Sequence, residues 1–385
     1  DGASRLYCDF VNIIQYRGPL CFIIFITLAR NLEISQDGEA ISLLRKSLRS
    51  RSNISIMNIL ICIRNIVLTK GANRHPHLFT QAHIKKVKQA AGKKAQILVA
   101  LDSEKARMHA KDAEIIAGFP MTIPVLADTK KLKWLHSFSA GVDRMLSDEV
   151  MRMPVKVSNS SGIHATPIAE HIIGMMLMFT RGFKKTFENQ KKHVWQKDDS
   201  LSELRGKTVL IAGLGDIGME AARLLKCFGA RILAISRSKK KKPAFVDELR
   251  RASSLDAMLP KADIVAICLP YTRDTHHFFD KKKFALMKQT AIVINIGRGG
   301  IIHEKDIISA LRHKQIGGAG LDVTEQEPLS ANSPLWDMEN VIITPHHSGL
   351  SEKYMDRAVD LFCENLKLFL KKKPLRTEVD KKRGY

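Results

Sequence analysis

The 385-residue sequence is first narrowed by what it lacks. It has no CxxC pair. Its six cysteines, Cys8, Cys21, Cys62, Cys227, Cys268 and Cys363, lie far apart, so neither a zinc cluster nor a disulfide framework is expected, and a reducing, cytoplasmic setting is. The apolar stretch PLCFIIFITLA near the start is only about half the length of a membrane span. That stretch also lacks the clustered basic start and the small-residue cleavage site of a signal peptide. No helix-turn-helix or zinc module is present and the lysines are dispersed. The basic surplus, 62 − 39 = 23, therefore points to anions in general and not to a specific nucleic-acid partner.

What is present reads as a globular chain long enough for two or three domains, with 45% hydrophobic and 26% charged residues. Residues 1–56 differ from the rest and read as a poorly ordered extension of unknown role, with Met57 the expected start of the functional protein. From Met57 onward, apolar runs alternate with helical segments, the pattern of a parallel α/β fold. NILICI, AQILVAL, AEIIAGF, LKWLHSF and VKVSNS are the strands of a first region. HATPIAEHIIGMMLMFTRGF predicts a helix apolar on every face, buried between domains, whose methionines pack and bind nothing. KTVLIAG, ARILAIS, DIVAICL, AIVINIG, GGAGLDV and NVIITP form a second series, and a last helix over 351–370 is expected to return to the first region.

Three glycines, Gly213, Gly215 and Gly218, follow the strand KTVLIAG and open the next helix. In that setting the first allows a tight turn, the second admits a pyrophosphate close to the backbone, and the third lets helix and strand pack closely. The acidic residue that would grip an adenosine ribose about 20 positions later is missing. ARILAIS ends instead in Ser236, Arg237 and Ser238 before four lysines. Hydroxyls and a guanidinium suit a 2′-phosphate, so NADPH is expected over NADH, which remains possible.

A second constellation lies past other strand ends. INIGRGG carries Arg298, GLDVTEQEPL carries Asp322 and Glu327, and VIITPHHSG carries His346 and His347. Reducing a carbonyl by hydride needs a proton for the new hydroxyl, and an imidazole beside a carboxylate can hold one. An arginine fork can bind a carboxylate on the adjacent carbon.

With SAGVD, GLGDIG, LPYTRDT and the ending VDKKRGY, these motifs make residues 57–385 resemble the D-isomer-specific 2-hydroxyacid dehydrogenases, the family of glyoxylate/hydroxypyruvate and phosphoglycerate enzymes. The resemblance implies Arg298, Glu327 and His346 as the catalytic set. It implies Ala140, Gly141 and Val142, with Arg298, as the holders of the substrate carboxylate. It places Asp216 and Ile217 with the three glycines, and Leu269, Pro270, Thr275, Ile296, Gly297 and Asp322, around the cofactor. It further implies two Rossmann-like domains with parallel sheets and the active cleft between them, a discontinuous substrate domain over 57–159 plus 347–385, a dinucleotide-binding domain over 160–346, and a homodimer. The Pro-His junction favours His346 over His347, and His303 stands where the family often has an acid. The expected substrate is a small 2-oxo acid of the glyoxylate or hydroxypyruvate type, with no metal and no membrane partner. The alternatives are an NADH-dependent phosphoglycerate dehydrogenase, a nucleotide-sensing corepressor, or a scaffold that keeps the fold.

Overall fold

The computed structural model describes residues 56–63, 66–67, 78–93, 95–120, 122–123, 126, 129–142, 145–237 and 241–381, all within one unit, Ile56–Tyr385. The expectations for residues 1–55, Cys8 and Cys21 among them, and for Asp143, Ser238 and the last four residues lie outside the described residues.

Two all-parallel sheets organise the chain. The first is built from β1 (Met57–Cys62), β4 (Ala95–Ala100), β5 (Ile115–Gly118), β6 (Trp134–Ser137) and β7 (Lys156–Ser158), in the order β4-β1-β5-β6-β7. The short β2 (Ile66–Val67) and β3 (Phe79–Thr80) pair separately. The second contains β8 (Thr208–Ala212), β9 (Arg231–Ser236), β10 (Glu248–Arg251), β11 (Ile264–Ile267), β12 (Ile292–Asn295), β13 (Gly318–Leu321) and β14 (Val341–Ile343), in the order β10-β9-β8-β11-β12-β13-β14. Its strand order reverses between β8 and β11, the doubly wound arrangement in which ligands sit beyond the carboxyl ends of the strands. The central strands of both sheets are covered on two faces and so are apolar throughout and not alternating, while the edge strand β10 is not. β5 and β11, for example, are buried at all four positions.

Local signals set the helices. Thr80 and His83 cap one another at the start of helix Gln81–Ala91, through His83 N to Thr80 Oγ1 at 3.4 Å and Thr80 N to His83 Nδ1 at 3.0 Å. Gly229, at φ 76°, ends the helix Asp216–Cys227 beyond its cap residue Phe228.

The last helix, Tyr354–Leu370, packs on the first sheet. Phe362 and Phe369 stack on the fully buried Trp134, each with ring centroids 5.2 Å away. Val359, Phe362 and Leu366 share one core with Ile59, Ile61 and Ile115.

Helix Ala165–Thr180 corrects one expectation. Ile168, Ile172, Met175 and Met176 are buried in the core of the second sheet, but Thr166, Glu170 and Gly174 form an exposed stripe at four-residue spacing. The three residues that reach solvent are the polar and small ones.

Candidate active site

The glycine loop follows β8. Gly213 has φ 106°, open to glycine without strain, and a methyl there would stand 2.6 Å from the carbonyl oxygen of Cys268. A methyl at Gly218 would collide with the carbonyl of Gly213, so this glycine lets helix and strand meet. Gly215 differs, because a methyl there meets nothing within 4 Å. No side chain caps the helix that Gly215 opens, which leaves its first backbone N–H groups and the positive end of its dipole beside open space, a fit for a pyrophosphate. Ser236 is buried at the end of β9 with the exposed Arg237 next to it.

From this loop the strand ends run on in contact. A methyl at Gly297 would meet the carbonyl of Leu269 at 2.8 Å, and one at Gly299 would overlap the backbone of Thr324. Thr275 Oγ1 donates to the carbonyl of Pro270 at 2.7 Å, which folds the segment that follows β11. Buried Asn295, at the end of β12, pins the arginine turn from both sides. Its Nδ2 donates to the carbonyl of Arg298 at 3.0 Å and its Oδ1 accepts from the amide of Gly297 at 3.1 Å.

A histidine and a carboxylate meet around β14. His346 Nδ1 and Glu327 Oε2 are 2.8 Å apart. Of the two adjacent imidazoles it is thus His346 that meets the carboxylate, while the His347 ring stands edge to face against His171, 5.5 Å between centroids. His346 has φ 51°, the left-handed region that a residue other than glycine adopts only when its surroundings fix it. Its amide donates to the Asp322 carbonyl at 2.8 Å.

Asp322 is 1% exposed. Its Oδ1 accepts from the Thr344 hydroxyl at 2.6 Å and the His347 amide at 3.1 Å, and its Oδ2 accepts from the Ser348 amide at 3.1 Å, with the Ser348 hydroxyl a further donor. Burial by itself would raise the carboxyl's pKa, but these donors outweigh it and hold Asp322 below the usual carboxylate range.

The Ala140–Val142 loop follows β6. It is held by neutral contacts from Asn159, whose Nδ2 donates to the carbonyl of Ala140 at 2.7 Å. Asn159 is held in turn through its own carbonyl by Thr377 Oγ1 at 2.6 Å, and Thr377 accepts from Asn365 at 3.1 Å. Val142 is buried. Two contacts join this side to the glycine-loop side: a methyl at Gly162 would meet Asp216 Oδ2 at 3.4 Å, and His164 packs on Gly349 and on the Tyr354 ring.

His171 and Thr344 were not among the residues expected here. His171 Nε2 lies 3.0 Å from Thr344 Oγ1 and 3.8 Å from Asp322 Oδ1. The only available signal was a histidine midway along a mostly apolar helix. His171, Asp322 and His347 also bring three ligand-type atoms within 4.8 Å of one another, the only such group among the described residues. The four donors on Asp322 already occupy its lone pairs, so hydrogen bonding accounts for that cluster without an ion.

The chain is similar to known proteins of one family. Residues 173–348 match the model of the D-isomer specific 2-hydroxyacid dehydrogenase NAD-binding domain. The chain is 31% identical over 265 residues to a glyoxylate reductase of Thermofilum pendens, covering 68% of this chain and 75% of that one. Among solved structures, a D-isomer specific 2-hydroxyacid dehydrogenase family protein from Aeromonas salmonicida superposes with a TM-score of 0.73 at 34% identity, covering 85% of this chain and all of that one. An NADPH-dependent glyoxylate/hydroxypyruvate reductase from Sinorhizobium meliloti, in complex with NADP and sulfate, superposes with a TM-score of 0.70 at 28% identity, covering 86% of this chain and all of that one.

Proposed function

The chain belongs to the D-isomer-specific 2-hydroxyacid dehydrogenases, a family of oxidoreductases, and from that premise we propose that it reduces a small 2-oxo acid of the glyoxylate or hydroxypyruvate type to the D-2-hydroxy acid, with NADPH preferred. The observation that carries this reading is the 2.8 Å contact between His346 and Glu327.

A nicotinamide cofactor, held at the glycine loop by Gly213, Gly215 and Gly218, would supply the hydride for the carbonyl carbon. The fork of Arg298 binds the substrate carboxylate and draws electron density toward the carbonyl oxygen. Glu327 holds His346 through Nδ1 and so fixes the ring's orientation, which leaves Nε2 as the atom that passes a proton to the oxygen as it becomes a hydroxyl. The backbone of Ala140, Gly141 and Val142 holds the acid from the opposite side.

NADPH preference rests on Ser236 and Arg237 at the end of β9, where no carboxylate stands, with the Sinorhizobium meliloti relative's use of NADPH as a parallel. The domain division belongs to the same proposal: 57–159 with 347–385 for the substrate, 160–346 for the dinucleotide. The core that Phe362 and Leu366 share with Ile59 and Ile61 supports it. A homodimer is supported by an unpaired apolar arm: Phe183 and Phe187 stack on each other at the surface, and the nearby Trp195 is 98% exposed. A cytoplasmic site is supported by the four described cysteines, all free. No helix among the described residues is long and apolar enough to cross a membrane.

The test is oxidation of NADPH and NADH, in parallel, by the purified chain with glyoxylate, hydroxypyruvate, pyruvate and an aromatic 2-oxo acid. Fast turnover of NADPH with the two smallest acids is expected. Turnover only with NADH would overturn the 2′-phosphate reading, and none with any pair would overturn the activity.

A further inference from the structure

Resting on the reading above, we propose that His171 and Thr344 are positioning residues for the proton donor: a hydrogen-bonded line from His171 Nε2 through Thr344 Oγ1 to Asp322 Oδ1 fixes the backbone turn that aims His346.

Asp322 is the anchor of this turn. Four of its donors come from residues 344–348, so one buried carboxylate gathers the hydroxyl before His346 and the two amides after it. Its only ion-pair partner among the described residues is His171 at 3.8 Å. The charge therefore depends on neutral donors, and losing any one of them leaves a buried anion undersatisfied.

Thr344 has a single hydroxyl proton. Donating it to Asp322 at 2.6 Å leaves the oxygen's lone pairs facing His171 Nε2 at 3.0 Å. Nε2 must then carry hydrogen. Desolvation lowers the pKa of His171, more than the nearby Asp322 charge raises it, which suits a neutral ring donating from Nε2. His171 also presses on the ring of His347, so it touches the turn on both sides of His346. The left-handed backbone of His346 is the conformation that needs such support. Because the helix Ala165–Thr180 is packed into the second core, the line ties the donor's aim to a rigid element.

The experiment measures kcat and KM for glyoxylate at saturating NADPH in the full chain and in Thr344→Val, Thr344→Ser, His171→Phe and the Thr344→Val/His171→Phe double variant. Misaiming the donor should lower kcat in Thr344→Val by about tenfold or more, with KM changed by less than about twofold. Thr344→Ser should recover most of the rate. The double variant should be no slower than Thr344→Val, because each change breaks the same line. Wild-type kcat in Thr344→Val, no recovery in Thr344→Ser, or a loss confined to KM would overturn the proposal. A separate nitrogen-15 spectrum of the imidazoles distinguishes its failure from that of the underlying activity. A protonated Nε2 on His171 that disappears from its hydrogen-bonded position in Thr344→Val supports the line even if another acid proves to be the substrate. A bare Nε2 in the wild type breaks it even if glyoxylate is reduced.

Discussion

The two sheets share a parallel architecture and divide the chemistry unequally. Beyond the seven-stranded sheet the strand ends carry charge: Arg298 after β12, Asp322 after β13, and His346 with Glu327 around β14. In the five-stranded region the buried polar groups of β6 and β7 bond one another and no charged side chain. His136 lies wholly buried between Trp134 and Phe138, 2.7 Å from Ser158 Oγ, and desolvation pushes its pKa down to about 3. Ser137, Ser158, Ser160 and Asn159 complete the set that holds the Ala140–Val142 loop. On the proposed reading, one half would bind an anion through fixed neutral donors, while the other would move a proton and stabilise charge. A rigid neutral cradle needs burial, whereas working charges need buried partners to fix them, which is what Asn295 and Asp322 provide.

The sharpest way to break this comparison is to disable each half and see which property fails. His346→Asn should reduce kcat by about 10²–10⁴-fold, the usual range for a general acid, with melting temperature nearly unchanged; steady-state kinetics beside calorimetry checks both. Trp134→Ala in the other half should do the reverse. Emptying a fully buried indole that stacks on Phe362 and Phe369 should cost about 3–5 kcal/mol of stability, read by denaturant unfolding.

Acid should separate the halves more finely. The pKa of His136 is lower in the folded chain than in the unfolded one, so the unfolded state takes up the extra proton. The stability due to its neutral form is complete above about pH 6.5 and declines as pH falls from there toward about 3, by about 1.4 kcal/mol per unit at most. Asp322 is also depressed, so its contribution is complete above the ordinary carboxylate range and is lost only when pH falls below that range. Unfolding free energy followed from pH 7 to 4 should therefore decline through His136 together with His171, whose pKa desolvation also lowers, and His136→Gln should reduce that slope. A slope unchanged in His136→Gln would remove the assignment. The smallest expected effect is at the cofactor's far end. Arg237→Ala should weaken NADPH by about tenfold, the worth of one charge-assisted hydrogen bond, and leave NADH nearly unchanged; equal losses would contradict the phosphate reading.

Much of this was legible in the sequence. The apolar strands were, because burial on both faces writes them as continuous runs, and so was the glycine loop, because its three positions need glycine for three physical reasons. β10 was not. Its sequence ELRR is half-buried to exposed at the sheet's edge, so packing leaves little apolar signature. The surface helix Phe183–Lys191 has no buried residue and was invisible for the same reason. The line from His171 to Asp322 joins residues 151 positions apart through a hydroxyl, and no local pattern encodes such a contact. His303, where an acid is usual in the family, bonds Asp306 at 3.0 Å and faces the His277 ring at 4.6 Å.

The central claim is that His346 and Glu327 act as one unit, and a double-mutant cycle on kcat tests it most directly. With His346→Asn, Glu327→Gln and the pair combined, measured at one saturating concentration of NADPH and glyoxylate, the double variant is predicted to be no slower than His346→Asn alone, since the carboxylate acts only through the imidazole. Losses that multiply, each variant slowing the reaction by the same factor whether or not the other is present, would contradict it.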